Sequence, residues 1–146
     1  MILTPIVVAT AEDLARELTI RKEVFVEEQN VPIDEEIDAF DVIGGACTHL
    51  LIENDTGEAI GTGRVRLVDA YGKIQRVAVL KKFRKYGIGR AIILELEKLA
   101  AAQGATASKL DAQVHAIGFY EKLGYTVQSD VFLDAGIEHV LMVKTL

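Results

Sequence analysis

The sequence predicts an α/β (α+β) fold: a mixed, mainly antiparallel sheet flanked by helices, in the order β-α-β-β-β-α-β-α-β-β. Three observations lead there. Short β-type runs separated by turn signals fill residues 46–80. Two longer stretches, 10–28 and 88–102, carry apolar residues at helical spacing. No linker, repeat or low-complexity tract divides the 146 residues, so one domain is expected over 1–146.

Each element has its own signal. ILTPIVVA (2–9) is an apolar strand, and Pro5 suits a sheet edge because it donates no hydrogen bond. Thr10 is an N-cap, with Asp13 completing a variant capping box. Leu14, Leu18 and Phe25 form the helical stripe that follows to about Glu28, and Pro32 stops it. The acidic segment up to Asp41 reads as a loop with room for one short helix. ACTHLLIE (46–53), AIGTGRVRLV (59–68) and KIQRVAVL (73–80) are strands; the NDTG turn at 54–57 helps make them an antiparallel meander. The helix over 88–102 carries Ile92, Leu96 and Leu99 on one face and ends before Gly104. SKLDAQV (108–114) is a strand, HAIGFYEKL (115–123) a short helix closed by Gly124. YTVQSDVF and IEHVLMVK are the last two strands.

The charge excludes some functions. Net charge is −6, with 22 acids against 16 bases, which opposes binding to a phosphate backbone. No signal peptide and no membrane-length apolar run is read, and a single cysteine, Cys47, forms no internal disulfide. A reducing cytoplasm is therefore expected. A mean hydropathy of +0.24 leaves apolar surface for a homodimer. The distribution says more than the total. Between Ala70 and Leu94 there is no acid, and Lys73, Arg76, Lys81, Lys82, Arg84, Lys85 and Arg90 form a basic island. Between Glu27 and Asp41 the bias reverses: Glu27, Glu28, Asp34, Glu35, Glu36, Asp38 and Asp41, with no base.

The island contains the sequence RKYGIG (84–89), directly before a helix. The first turn of a helix leaves N–H groups unpaired and carries part of a positive charge. Glycines let an anion reach that backbone without a Cβ in the way. Strand, glycine turn and helix thus make an anion cradle. It is not a Walker loop, since no G-x-x-x-x-G-K-[ST] is present, nor a dinucleotide fingerprint, since position 92 is Ile.

RKYGIG resembles the [Q/R]-x-x-G-x-[G/A] pyrophosphate loop of the GNAT family of N-acetyltransferases. RVAV (76–79) precedes it where that family has its splayed fourth strand. FYEKLGY (119–125) is similar to the family's [LF]-Y-x-x-x-G-[FY] motif. VFVEEQNVP and FLDAGIEHVLM further resemble the small bacterial ElaA-like acetyltransferases. The resemblance implies acetyl-CoA as co-substrate and a small-molecule or peptide amine as acceptor; no metal is expected, and the charge and hydropathy above speak against nucleic acid and membrane. It assigns CoA contacts to Val77, Val79, Arg84, Lys85, Gly87, Ile88, Gly89 and Arg90. Tyr120 matches the tyrosine that protonates the departing sulfur. One departure is Gln113, where many members carry Asn.

The acceptor side is less constrained. Gln75 and Arg76 stand where some members have an acid and cannot act as bases. His49, His115, His139, Asp111, Glu27 and Glu28 are alternatives, with His115 favoured by its place at the start of the Tyr120 helix. Glu27 and Glu28 are expected to orient a cationic amine steered by the acidic segment. Two other readings remain open at this point: an acyl-CoA-binding module without turnover, and a plain nucleotide-binding protein.

Overall fold

The computed structural model describes all 146 residues. Eight strands form one sheet: β1 (Thr4–Val7), β2 (Thr48–Glu53), β3 (Ala59–Val68), β4 (Tyr71–Val79), β5 (Ala107–Gln113), β6 (Thr126–Val127), β7 (Phe132–Asp134) and β8 (Ile137–Thr145). Their spatial order is β1-β2-β3-β4-β5-β8-β6, with β7 also on β8. Every pairing is antiparallel except β4 with β5. The meander β2-β3-β4 and the edge position of Pro5, which pairs with Ile52, agree with the sequence.

Helix α1 (Ala11–Arg21) starts where Thr10 Oγ1 accepts the Asp13 N–H at 3.2 Å. From Lys22 to Glu28 the helix widens into π-helical turns, which the apolar spacing did not signal. Helix α2 (Ile33–Glu36) is one turn inside the acidic segment. Helix α3 (Ile88–Ala102) crosses over from β4 to β5, and α4 (Ile117–Glu121) follows β5 through a tight turn at Val114–Ala116. The stretch expected as one strand, 125–132, is split into β6 and β7. Tyr125 itself is buried; its hydroxyl donates to Glu97 at 2.8 Å and bonds Ser108 at 2.7 Å.

Strand alternation divides the core between the two faces. Leu50 and Ile52 of β2 turn toward α3, packing with Ile88, Ile92, Ile93 and Leu96; Leu51 turns the other way, into a cluster with Ile20 and Val24. Helix α3 lies close against the sheet because glycines face it. A Cβ at Gly63 would come within 2.8 Å of Leu96 Cδ1, and one at Gly72 within 2.5 Å of Ala100 Cβ.

Beneath α1 lies a buried ion network. Arg21, fully buried, bonds Asp41 at 2.6 and 3.0 Å, Glu36 at 2.8 Å and Glu17 at 3.3 Å. Arg64, also buried, bonds Asp41 and Asp38, each at 2.8 Å through Nη1. The acidic segment is therefore held by arginines from α1 and β3, not by solvent. A row of seven acids suggests a solvated negative face; here three of them neutralise buried guanidiniums. With Glu28 also paired, to Arg84, the acids left to steer a cationic acceptor are Glu27, Asp34 and Glu35.

Candidate functional site

Strands β4 and β5 pair only over Tyr71–Ile74 and Ala107–Leu110. Beyond, they part, and a cleft of about 700 Å³ opens between them, floored by Gln75–Val79, the 84–90 loop and Tyr120. The cause of the splay is legible in the register. Thr62 pairs with Ala78, but Arg64 pairs with Gln75, so two β4 residues face the single β3 residue Gly63. Such a bulge bends its strand. Arg76 at the bulge has φ +59°, a left-handed conformation costly for a side chain. Its guanidinium holds it there, donating to the Glu36 carbonyl at 3.2 Å and pairing with the Glu36 and Asp38 carboxylates at 3.3 and 3.4 Å.

The bend exposes backbone. Leu80 N–H donates back to Ile60 O of the β3 side at 3.0 Å. By strand alternation, the N–H groups of Val79 and Val77 point the other way, into the cleft. Their side chains pack on the main core. The Val79 carbonyl accepts from Arg84 Nε at 3.0 Å.

At the cleft's end, the glycine loop meets α3. Lys85 and Gly87 both have positive φ, +76° and +78°, so consecutive N–H groups turn toward one concavity, an anion-binding nest. Gly87 caps α3 without a side-chain bond, and no acid sits in the first turn. The N–H groups of Ile88, Gly89 and Arg90 thus have neither capping partner nor compensating charge. Lys85, Arg84 and Arg90 line the cleft; Lys81 and Lys82 do not, and Lys82 stacks on Phe83 at 5.0 Å. This donor set fits a pyrophosphate, with the helix terminus contributing about 0.3–1 kcal/mol and the cations the remainder.

Tyr120 lies against the cleft on α4, edge-on to Phe119 at 5.0 Å and to Tyr125 at 5.9 Å. Burial alone pushes its phenol up to about 12, so it holds its proton. Gln113 donates to Gln29 Oε1 at 2.9 Å and accepts from His115 Nε2 at 2.6 Å, tying the π-helical end of α1 to β5. His115 lines the cleft. Glu28 does not stand free: it is bonded to Arg84 at 2.9 and 3.0 Å. Glu27 is exposed and does not line the cleft. His49 and Cys47 lie elsewhere, buried, and burial pushes the Cys47 thiol up, away from nucleophilic use. The carboxylates of Glu17 and Asp41 near His49 are already occupied by Arg21 and Arg64.

Sequence reasoning missed Gln29, Phe25 and Asp134, which also line the cleft. They reach it by tertiary routes: a widened helix end and the β7–β8 hairpin. The stretches VFVEEQNVP and FLDAGIEHVLM that contain them carried the resemblance, but no chemistry assigned these three to the site.

Comparison with known proteins agrees with this architecture. The family profile described as an acetyltransferase (GNAT) domain matches residues 11–146. The chain is 44% identical over 140 residues to the uncharacterized N-acetyltransferase YjcF of Bacillus subtilis (strain 168), covering 95% of this chain and 97% of that one. The crystal structure of an acyl-CoA N-acyltransferase from Pseudomonas aeruginosa superposes with a TM-score of 0.84 at 26% identity, over 99% of both chains. Escherichia coli ElaA has the same fold, with a TM-score of 0.83 at 24% identity over 98% of both chains. With a family match across most of its length and the splayed β4–β5 cleft beside a glycine-opened helix, the chain belongs to the GNAT acetyltransferases.

Proposed function

We propose that this protein is an acetyl-CoA-dependent N-acetyltransferase, a single cytoplasmic domain that moves an acetyl group to a primary amine by direct attack on the thioester. The observation that carries this reading is the pairing of two features in one cleft: the uncapped, acid-free start of α3 and the unbonded, protonated phenol of Tyr120. A binding module needs the first but has no use for the second.

The geometry of the cleft supports the following roles. The pyrophosphate of the co-substrate sits on the N–H groups of Gly87, Ile88, Gly89 and Arg90, with Lys85, Arg90 and Arg84 supplying positive charge. The pantetheine arm runs along β4 like an added strand, using the cleft-facing backbone of Val77 and Val79. An N–H there faces the thioester oxygen and stabilises the charge that builds on it as the amine attacks. The C–N bond forms, the C–S bond breaks, and the sulfur leaves as thiolate.

Tyr120 donates a hydrogen bond to that sulfur. A phenol at about 12 against a thiol near 8.5 makes complete transfer uphill by itself. The proton that the new amide nitrogen must shed therefore completes the exchange, with the phenol as the relay. The acceptor is a small-molecule or peptide amine. The test is release of CoA thiol from acetyl-CoA across a panel of primary amines, together with the Tyr120→Phe variant. Amine-dependent release, reduced in that variant, supports the reading; CoA binding without release in the wild type fits the non-catalytic acyl-CoA-binding module instead.

A further inference from the structure

A second cavity, about 330 Å³, opens beside the first, between α2 and the β7–β8 hairpin. That volume is at the lower end of the range for small-molecule sites, about 300–1,000 Å³. The two cavities meet at Phe25, Gln29, Arg76, Gln113, Asp134 and His139. One of these six is an imidazole with one ring nitrogen left unbonded. His139, on β8 opposite Gln113 of β5 and Phe132 of β7, has its Nδ1 2.7 Å from the Ile137 carbonyl. A carbonyl oxygen only accepts, so Nδ1 carries a proton, and in the neutral ring Nε2 is the atom with the lone pair. Stacking on Phe132, with ring centroids 6.1 Å apart and planes at 22°, fixes the ring. Nothing in the chain bonds Nε2.

We infer that the smaller cavity receives the amine and that His139 Nε2 takes the proton from its ammonium at the junction with the cleft. This rests on the acetyltransferase reading. The step balances: the ammonium gives one proton to His139, the neutral amine attacks the thioester carbonyl, and its second proton follows the departing thiolate to give CoA thiol. His139 then returns its proton to solvent. Neither other histidine is so placed. His49 bonds Glu17 and the Phe40 carbonyl through both ring nitrogens, outside the cleft; His115 is exposed and does not border the smaller cavity.

The charged groups around His139 come from four elements. Arg76 of β4 and Glu36 of α2 pair with each other; Glu35 of α2 and Asp134 of β7 have no ion-pair partner, and His115 lies beyond Gln113. The cavity thus leaves two free carboxylates and favours a cationic amine over an anionic one.

The experiment measures kcat/KM against pH for the wild type, His139→Gln and Glu35→Trp. The acceptors are ethylamine, 2-methoxyethylamine and 2,2-difluoroethylamine, three amines of falling basicity. With ethylamine near neutral pH, His139→Gln should lose about 10²–10⁴-fold, the span of general base catalysis, while CoA affinity holds. The deficit should shrink as pH rises or amine basicity falls, because the amine then arrives neutral; a merely structural role gives a constant deficit. Glu35→Trp, an exposed helix position, should raise the amine KM and spare the CoA KM. A His139→Gln variant with the wild-type rate and pH profile overturns the base assignment alone, and an unchanged amine KM in Glu35→Trp overturns the cavity assignment. If His139→Gln does not fold, His139→Asn with added imidazole is the second arm: rescue supports the inference, and a wild-type rate without imidazole overturns it. A wild type that binds CoA but acetylates none of the amines overturns the acetyltransferase reading, and this inference with it.

Discussion

Arg84 is bound twice to Glu28, at 2.9 and 3.0 Å, so the glycine loop is tied to the end of α1 across 56 residues of sequence. The pair is solvent-exposed, 40% for Arg84 and 30% for Glu28, and such pairs are worth about 0–1 kcal/mol. A phosphate that takes Arg84 must first displace Glu28. Glu28→Gln should therefore leave stability within about 1 kcal/mol and tighten CoA by up to about fivefold. Isothermal titration checks this; weaker CoA binding would mean that Glu28 positions Arg84 for the ligand instead of competing with it.

Gly89 lies under Phe119. A Cβ there would sit 3.3 Å from Phe119 Cζ, a contact that the 40%-exposed ring can relieve by moving. The fold of Gly89→Val should survive, while its branched side chain covers the N–H groups of the nest. Losing charge-assisted hydrogen bonds worth about 1.5–3 kcal/mol predicts a 10- to 150-fold weaker CoA affinity. Equal affinity in a folded variant would remove the loop from the binding site.

Tyr120→Phe deletes a hydroxyl that has no partner in the chain. Its melting temperature should hold or rise, because a half-buried polar group without a bond is a cost. Its kcat should fall about 10²-fold, toward the lower end for a positioned acid, since the raised phenol pKa favours hydrogen bonding over full transfer. A parental kcat would make the tyrosine a packing residue.

Much of this was legible in the sequence, and the reasons separate the two halves. Periodicity gave the meander, α1 and α3, and the glycine turn gave the nest, because each is a local pattern with a local cause. The β4 splay was expected only through the resemblance at RVAV; its cause was not legible, because it depends on a bulge at Arg76 fixed by Glu36 and Asp38, 40 and 38 residues away. The acidic segment misled for the same reason. Glu36, Asp38 and Asp41 look like a solvated face until Arg21 and Arg64 arrive from other elements. Likewise Glu28 looked like an acceptor ligand, and its bond to Arg84 is visible only in the fold.

That network makes its own prediction. Burial raises the Asp41 pKa, but the bond to Arg21, the Asp38 N–H and the charges of Arg21 and Arg64 more than offset it, to about 2. The stabilisation is present above the ordinary aspartate pKa of about 3.9 and is lost as pH falls through 2. Asp41→Ala leaves two buried guanidiniums short of a partner and should cost about 3–5 kcal/mol in denaturant unfolding. A cost under 1 kcal/mol would mean that Glu36 and Asp38 suffice.

His49 titrates with the opposite sign. Burial lowers its pKa, but bonds to the Glu17 carboxylate and the Phe40 carbonyl, each at 2.9 Å, leave it raised. Its contribution is full below about pH 6.5 and fades as pH rises through the folded value. The stability difference between wild type and His49→Gln should therefore narrow as pH is raised from 6.5. A difference that is flat with pH would show a neutral ring.

The central claim is that the cleft catalyses acyl transfer and does not merely hold CoA. It is tested most directly by following CoA thiol release from acetyl-CoA by the wild-type protein, with and without a primary amine, under conditions where titration shows CoA bound. The account predicts release that rises with amine concentration and saturates, with the acetylated amine formed in equal amount. Bound CoA with no amine-dependent thiol release would contradict it.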